Sequence, residues 1–156
     1  MRSQYPSQRE QARAASMVWI KLAVLYLVVG VSIGIAMGAS KNFTLRPVHA
    51  HVNLLGWTTL ALSGIIYSLF PQAGASKLAR VHFWLLNLSL PVMMGALAFI
   101  LLTGDMVVIP ALIAAEIAAA ASILVFTANI FINLRTENRQ RELPGEYDMA
   151  AAARRA

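Results

Sequence analysis

The chain has 156 residues, 58% of them hydrophobic and 13% charged, with a mean hydropathy of +0.63; soluble domains run at about 45–50% apolar and about 25% charged. These proportions exclude a soluble single-core domain and a disordered chain, because the apolar residues collect into blocks longer than the ~18 residues that read as membrane spans. The absence of cysteine excludes a disulfide scaffold, a thiolate metal site, an iron–sulfur cluster, a covalently attached c-type heme and a cysteine nucleophile.

Four apolar blocks, 17–39, 47–70, 78–103 and 106–134, lie between tails at 1–16 and 135–156. Each block is long enough to cross a hydrocarbon core of about 30 Å as a helix, and none shows the alternation of a barrel strand. The expected fold is therefore all-α: a polytopic membrane protein whose single domain is an antiparallel four-transmembrane-helix bundle. Both tails then share one side with 11 of the 13 Lys and Arg residues, leaving Lys41 and Arg46 opposite. The positive-inside rule makes that side cytoplasmic, with the bacterial inner membrane as the expected location. The net charge of +6 is then accounted for by topology and anionic lipid, with no nucleic-acid partner.

The first block contains the small-x-small run Ala36-Met37-Gly38, but its apolar stretch far exceeds the 7–15 residues of a signal-peptide core, so it reads as a retained span. Its Gly30, Gly34 and Gly38 form a small-residue stripe suited to close helix packing or self-association, and Trp19 is expected to anchor at the headgroups.

The second block opens Arg46-Pro47-Val48-His49-Ala50-His51-Val52-Asn53-Leu54-Leu55-Gly56. Residues two apart on a helix point about 200° apart, so His49 and His51 cannot approach one ion from the same face. The His49 face continues through Asn53, Gly56, Leu60, Ser63 and Tyr67 and is suited to the protein interior. The His51 face continues through Leu55, Thr58, Leu62 and Ile65, which suits lipid or a porphyrin plane. Gly56 permits close approach by a porphyrin or a backbone.

In the third block His82 is expected to lie among the headgroups at a helix start, with Trp84 as an interface anchor. Antiparallel helices would separate His82 from His51 by roughly 20–25 Å along the membrane normal. The fourth block carries Glu116, the only acidic residue deep in a span, which reads as a polar or proton-handling site with Asn87, Asn129 or Tyr67 as possible partners. An alanine stripe, Ala111, Ala114, Ala115, Ala118, Ala119 and Ala121, makes this helix smooth.

At the second block the sequence resembles subunit I of the heme-copper oxidase superfamily, most closely the C-family oxidases and the related nitric oxide reductases. Arg46-Pro47-Val48-His49 keeps that family's Arg-to-His spacing, and His51-Val52-Asn53-Leu54-Leu55 keeps its His-x-Asn context, so the two alignments nominate different histidines. The resemblance implies heme b, with His49 or His51 as an axial metal ligand, Arg46 placed for a propionate, and Asn53 and Gly56 as further cofactor-binding residues. It departs from the family in size: four expected helices and three histidines stand against about a dozen helices and six ligand histidines, so the chain is not a complete oxidase or reductase.

The expected function is a stand-alone membrane cytochrome for electron transfer or diatomic-gas sensing near the outer face. The expected partners are the lipid bilayer, further copies in a homo-oligomer, and a redox partner or larger respiratory complex. A heme-free accessory or assembly subunit and a small proton-coupled transporter using Glu116 are the alternative expectations.

Overall fold

The computed structural model describes the backbone of residues 8–142 and the side chains of residues 16–134. Within those limits the chain is helical and contains no strand. Four long helices account for it: α1 (Gln8–Ser40), α2 (Arg46–Leu69), α4 (Lys77–Thr103) and α5 (Ile109–Glu142), with a single-turn helix α3 (Pro71–Gly74) between α2 and α4. The segments long and apolar enough to cross a membrane are 24 to 27 residues each. They agree with the expected blocks, except that the last begins at Ile109 and not at residue 106. Met106 belongs to a turn instead, in which the Asp105 carboxylate accepts from the Val107 amide at 2.9 Å. Residues 8–16 and 135–142 continue α1 and α5 into the expected tails, whose ends at 1–7 and 143–156 lie outside the described residues.

Local chemistry sets the boundaries. Lys41 takes a left-handed φ of 54° and stops α1, and the Asn42 side chain then accepts from the amide and hydroxyl of Thr44 to shape the turn into α2. Pro47 in the first turn of α2 gives up no needed hydrogen bond. Ser76 caps α4 by accepting from the Ala79 amide at 3.0 Å, and Gly104, with φ 72°, closes its other end by donating to the Ile100 carbonyl.

The helices pack as two pairs. α1 lies along α2 and α4 lies along α5, whereas α2 meets α4 only in its first half, and no Cα of α2 comes within 8 Å of one in α5. Two apolar clusters hold this arrangement. One, at the α3 end, contains Trp19, Ala23, Leu60, Tyr67, Ala73, Ala79 and Leu86. The other, toward the opposite end, joins Val48 and Val52 to Leu90, Met93, Met94, Ala115 and Ala119. Large apolar side chains such as Leu25, Ile35, Leu54, Leu88 and Leu124 point outward, as in a chain whose solvent is lipid. α2 and α5 flank α4 and reach one another through side chains at the α3 end, where Asn129 meets Tyr67, while toward the opposite end the bundle is left open along one groove.

Candidate functional site

The two nominated histidines occupy different environments. His49 turns toward α1, where its Nδ1 lies 2.9 Å from the Gly30 carbonyl oxygen, and Asn53 Nδ2 donates back to the His49 carbonyl at 2.8 Å. The glycines of α1 make this possible. A Cβ on Gly34 would stand 2.9 Å from His49 Cε1, and one on Gly30 would stand 2.6 Å from the Asn53 amide, whereas nothing lies within 4 Å of a Cβ on Gly38. Gly30 and Gly34 are therefore taken up in packing within the chain.

His51 is exposed, and its Nδ1 lies 2.8 Å from the Pro47 carbonyl oxygen. A carbonyl can only accept, so in both histidines the proton belongs on Nδ1 and the neutral ring keeps its lone pair on Nε2. A carbonyl bound to one ring nitrogen is the usual way of orienting a histidine that ligates a metal through the other. Of the two, His51 lines the open groove. Its walls are His51 and Leu55 from α2 and Glu116, Ala119, Ala120 and Ile123 from α5, with Met93 of α4 between them and a volume of about 300 Å³. The inward and outward stripes expected from the sequence are both present: Gly56, Leu60, Ser63 and Tyr67 are buried, while Thr58, Leu62 and Ile65 are exposed. Arg46, on the first turn of α2, is exposed with its guanidinium carbon 5.5 Å from the centre of the Phe43 ring.

Immediately after His51, residues Val52–Thr59 form a π-helix, a feature the sequence did not announce. The hydroxyls of Thr58 and Thr59 each donate to the carbonyl five residues back, of Asn53 and Leu54, matching the wider turn. Such segments are rare and frequent at functional sites. Gly56 lies in its middle, where a Cβ would stand 2.6 Å from Tyr26 Cγ, so this glycine serves the approach of α1.

Glu116 is exposed at the groove, and no hydrogen bond reaches it among the described residues. The partners suggested for it are committed elsewhere: Asn87 donates to the Phe83 carbonyl, and Tyr67 and Asn129 belong to a buried network at the α3 end. There Asn129 Nδ2 donates to the Tyr67 hydroxyl at 3.2 Å and to the Ala73 carbonyl at 3.1 Å, while its Oδ1 accepts from Ser76 and Asn133 at 2.7 Å each. Tyr67 in turn lies 3.0 Å from His82 Nδ1. A phenol that accepts from Asn129 directs its own proton to His82, which leaves the His82 Nε2 proton as the one buried side-chain polar atom without a partner among the described residues.

Two expectations are corrected here. His82 does not face the headgroups: it is fully buried, on the α4 face that also presents Ala79 and Leu86, with the Trp19 and Phe126 rings centred 4.7 and 5.0 Å away. Trp19 is likewise a core residue at 3% exposure, while Trp84, at 60%, keeps the outward position of an anchor. α3 explains the difference, because it folds back over this end of the bundle and extends the interior to a depth that sequence position assigns to the interface.

Among the described residues no cluster of three or more His, Cys, Asp or Glu is placed to hold a bare metal ion. No family model, curated protein or solved structure matches the chain.

Proposed function

We propose that the chain is a membrane heme b protein in which His51 is the axial ligand. The observation that carries this reading is His51 itself: its Nδ1 is held by the Pro47 carbonyl, and its ring lines a groove whose walls are apolar apart from Glu116, beside a π-helical turn. The donor set fits heme iron, which needs one or two protein ligands, better than a bare ion, which needs three or more. Arg46 supplies a cation near the same helix end for a propionate. Heme bound there supplies one-electron redox chemistry and an affinity for diatomic gases, and the protein's part is to ligate, orient and enclose it.

His49 serves a different role. It locks α2 to α1 through Gly30 and orients the helix that presents His51, and Asn53 and Gly56 act with it at the α1 contact. A groove of about 300 Å³ lies at the small end of ligand sites. A macrocycle held there would extend beyond the groove and would need cover from lipid or from a second copy of the chain, which is the basis for proposing a homo-oligomer. In the bilayer, successive long helices run antiparallel with both tails cytoplasmic, as the Lys and Arg distribution directs, so the site lies toward the outer face. A redox partner or a larger respiratory complex would meet it there.

The test is the absorption spectrum of the protein purified from heme-replete cells. A Soret band with reduced α and β bands supports the reading. A colourless preparation that stays colourless on adding hemin refutes it.

A further inference from the structure

A carboxyl within a membrane span usually faces the bundle interior or a partner, because exposing it to hydrocarbon costs several kcal/mol. Glu116 does neither. It lies on the exposed side of α5, between Ile113 and Ile117, which are 50% and 65% exposed, and it has no hydrogen bond among the described residues. What it shares is the groove of His51, and the two come from different walls: α2 and α5 both border Met93 of α4 there, with no Cα of one within 8 Å of the other. The α5 wall beside Glu116 is Ala119 and Ala120, side chains small enough to let a flat ring lie against the helix. Among the described residues, His51 and Glu116 are also the only titratable ones lining the groove.

Resting on the heme reading above, we infer that Glu116 faces the sixth coordination position of a heme held by His51, and that its carboxyl hydrogen-bonds the small ligand bound there. The groove then works as a slot. α2 supplies the ligating imidazole, α5 supplies a smooth aliphatic wall with a single polar group, and Met93 closes the floor. Glu116 would thus decide which ligands the site retains, by offering a hydrogen bond in surroundings that otherwise offer none. The open sixth position suits the binding of a diatomic gas better than simple electron transfer.

Four variants of the purified, heme-loaded full chain test this. Glu116→His should place a second imidazole opposite the first and convert the spectrum to that of a low-spin, bis-histidine heme, whereas Ile117→His, on the outward face next door, should leave the spectrum unchanged. Cyanide affinity of the ferric protein should fall about tenfold in Glu116→Ala, the loss of roughly one hydrogen bond, and be largely restored in Glu116→Gln. A wild-type protein that binds heme but is already coordinated by two imidazoles overturns the inference. So does a heme-loaded Glu116→His protein with an unchanged spectrum. If Glu116→His fails to fold or load, a Glu116→Ala cyanide affinity within twofold of wild type overturns it instead. A wild-type protein without heme refutes the underlying function, which is a separate outcome.

Discussion

Replacing Asn129 by Leu, a change close to isosteric, removes the centre of the buried network at the α3 end. Asn129 is fully buried, and its side chain makes four hydrogen bonds, to Tyr67, Ala73, Ser76 and Asn133. Partial compensation remains. The Ala73 carbonyl still accepts from the Ser76 amide at 3.3 Å, Asn133 still donates to the Asn129 carbonyl at 3.0 Å, and Tyr67 still reaches His82. Side-chain hydrogen bonds within membranes average ~0.6 kcal/mol, so four of them amount to roughly 2 kcal/mol, or about a thirtyfold change in the unfolding equilibrium. Reversible unfolding in mixed detergent micelles, followed by the fluorescence of Trp19 and its neighbours, measures this directly. A double-mutant cycle with Tyr67→Phe should show a coupling of about 0.5–1 kcal/mol. A loss below about 0.5 kcal/mol for Asn129→Leu, with no coupling to Tyr67, would refute the view that this network fastens α3 and α5 to the bundle.

The glycine stripe yields a paired prediction. Gly34→Leu drives a side chain into the His49 ring and should destabilise the monomer by about 1–3 kcal/mol without changing oligomer mass, while Gly38→Leu, in open space, should change stability by less than about 0.5 kcal/mol in the same unfolding assay. The tryptophans should separate sharply: Trp19→Ala should cost about 3–5 kcal/mol as a core truncation, and Trp84→Ala close to nothing. His82→Leu should leave the heme content per chain unchanged, because Tyr67, its hydrogen-bond partner, lies roughly 20–25 Å along α2 from His51. Loss of half the heme in that variant would show a second site at the α3 end.

Much of this architecture was legible in the residues. Four spans followed from apolar block length, since backbone satisfaction in hydrocarbon leaves only the helix for such runs. The opposed surroundings of His49 and His51 followed from a two-residue offset on a helix. The stripe of Asn53, Gly56, Leu60, Ser63 and Tyr67 marked the inward face because small and polar side chains tolerate close neighbours where long aliphatic ones do not. The π-helical turn was not legible: Thr58 and Thr59 bond to the carbonyls five residues back only once the wider turn has formed, and no periodicity in Val52–Thr59 sets it apart from an α-helix. The His82 network was hidden for another reason. Tyr67 and Asn129 lie 62 positions apart, and the rule that places Trp and His at interfaces knows depth along a helix but not whether another element covers it. The glycine stripe pointed to close packing without naming its partner, which proved to be the two side chains that position the second helix.

The measurement that bears most directly on the proposed function is heme stoichiometry in two single variants, His51→Ala and His49→Ala, purified alongside wild type and reconstituted with hemin. The wild-type chain should bind heme, His51→Ala should lose it, and His49→Ala should retain a Soret band while losing stability through the broken contact with Gly30. Full heme occupancy in His51→Ala would contradict the assignment of the groove histidine as the ligand, and a heme-free wild type would contradict the function itself.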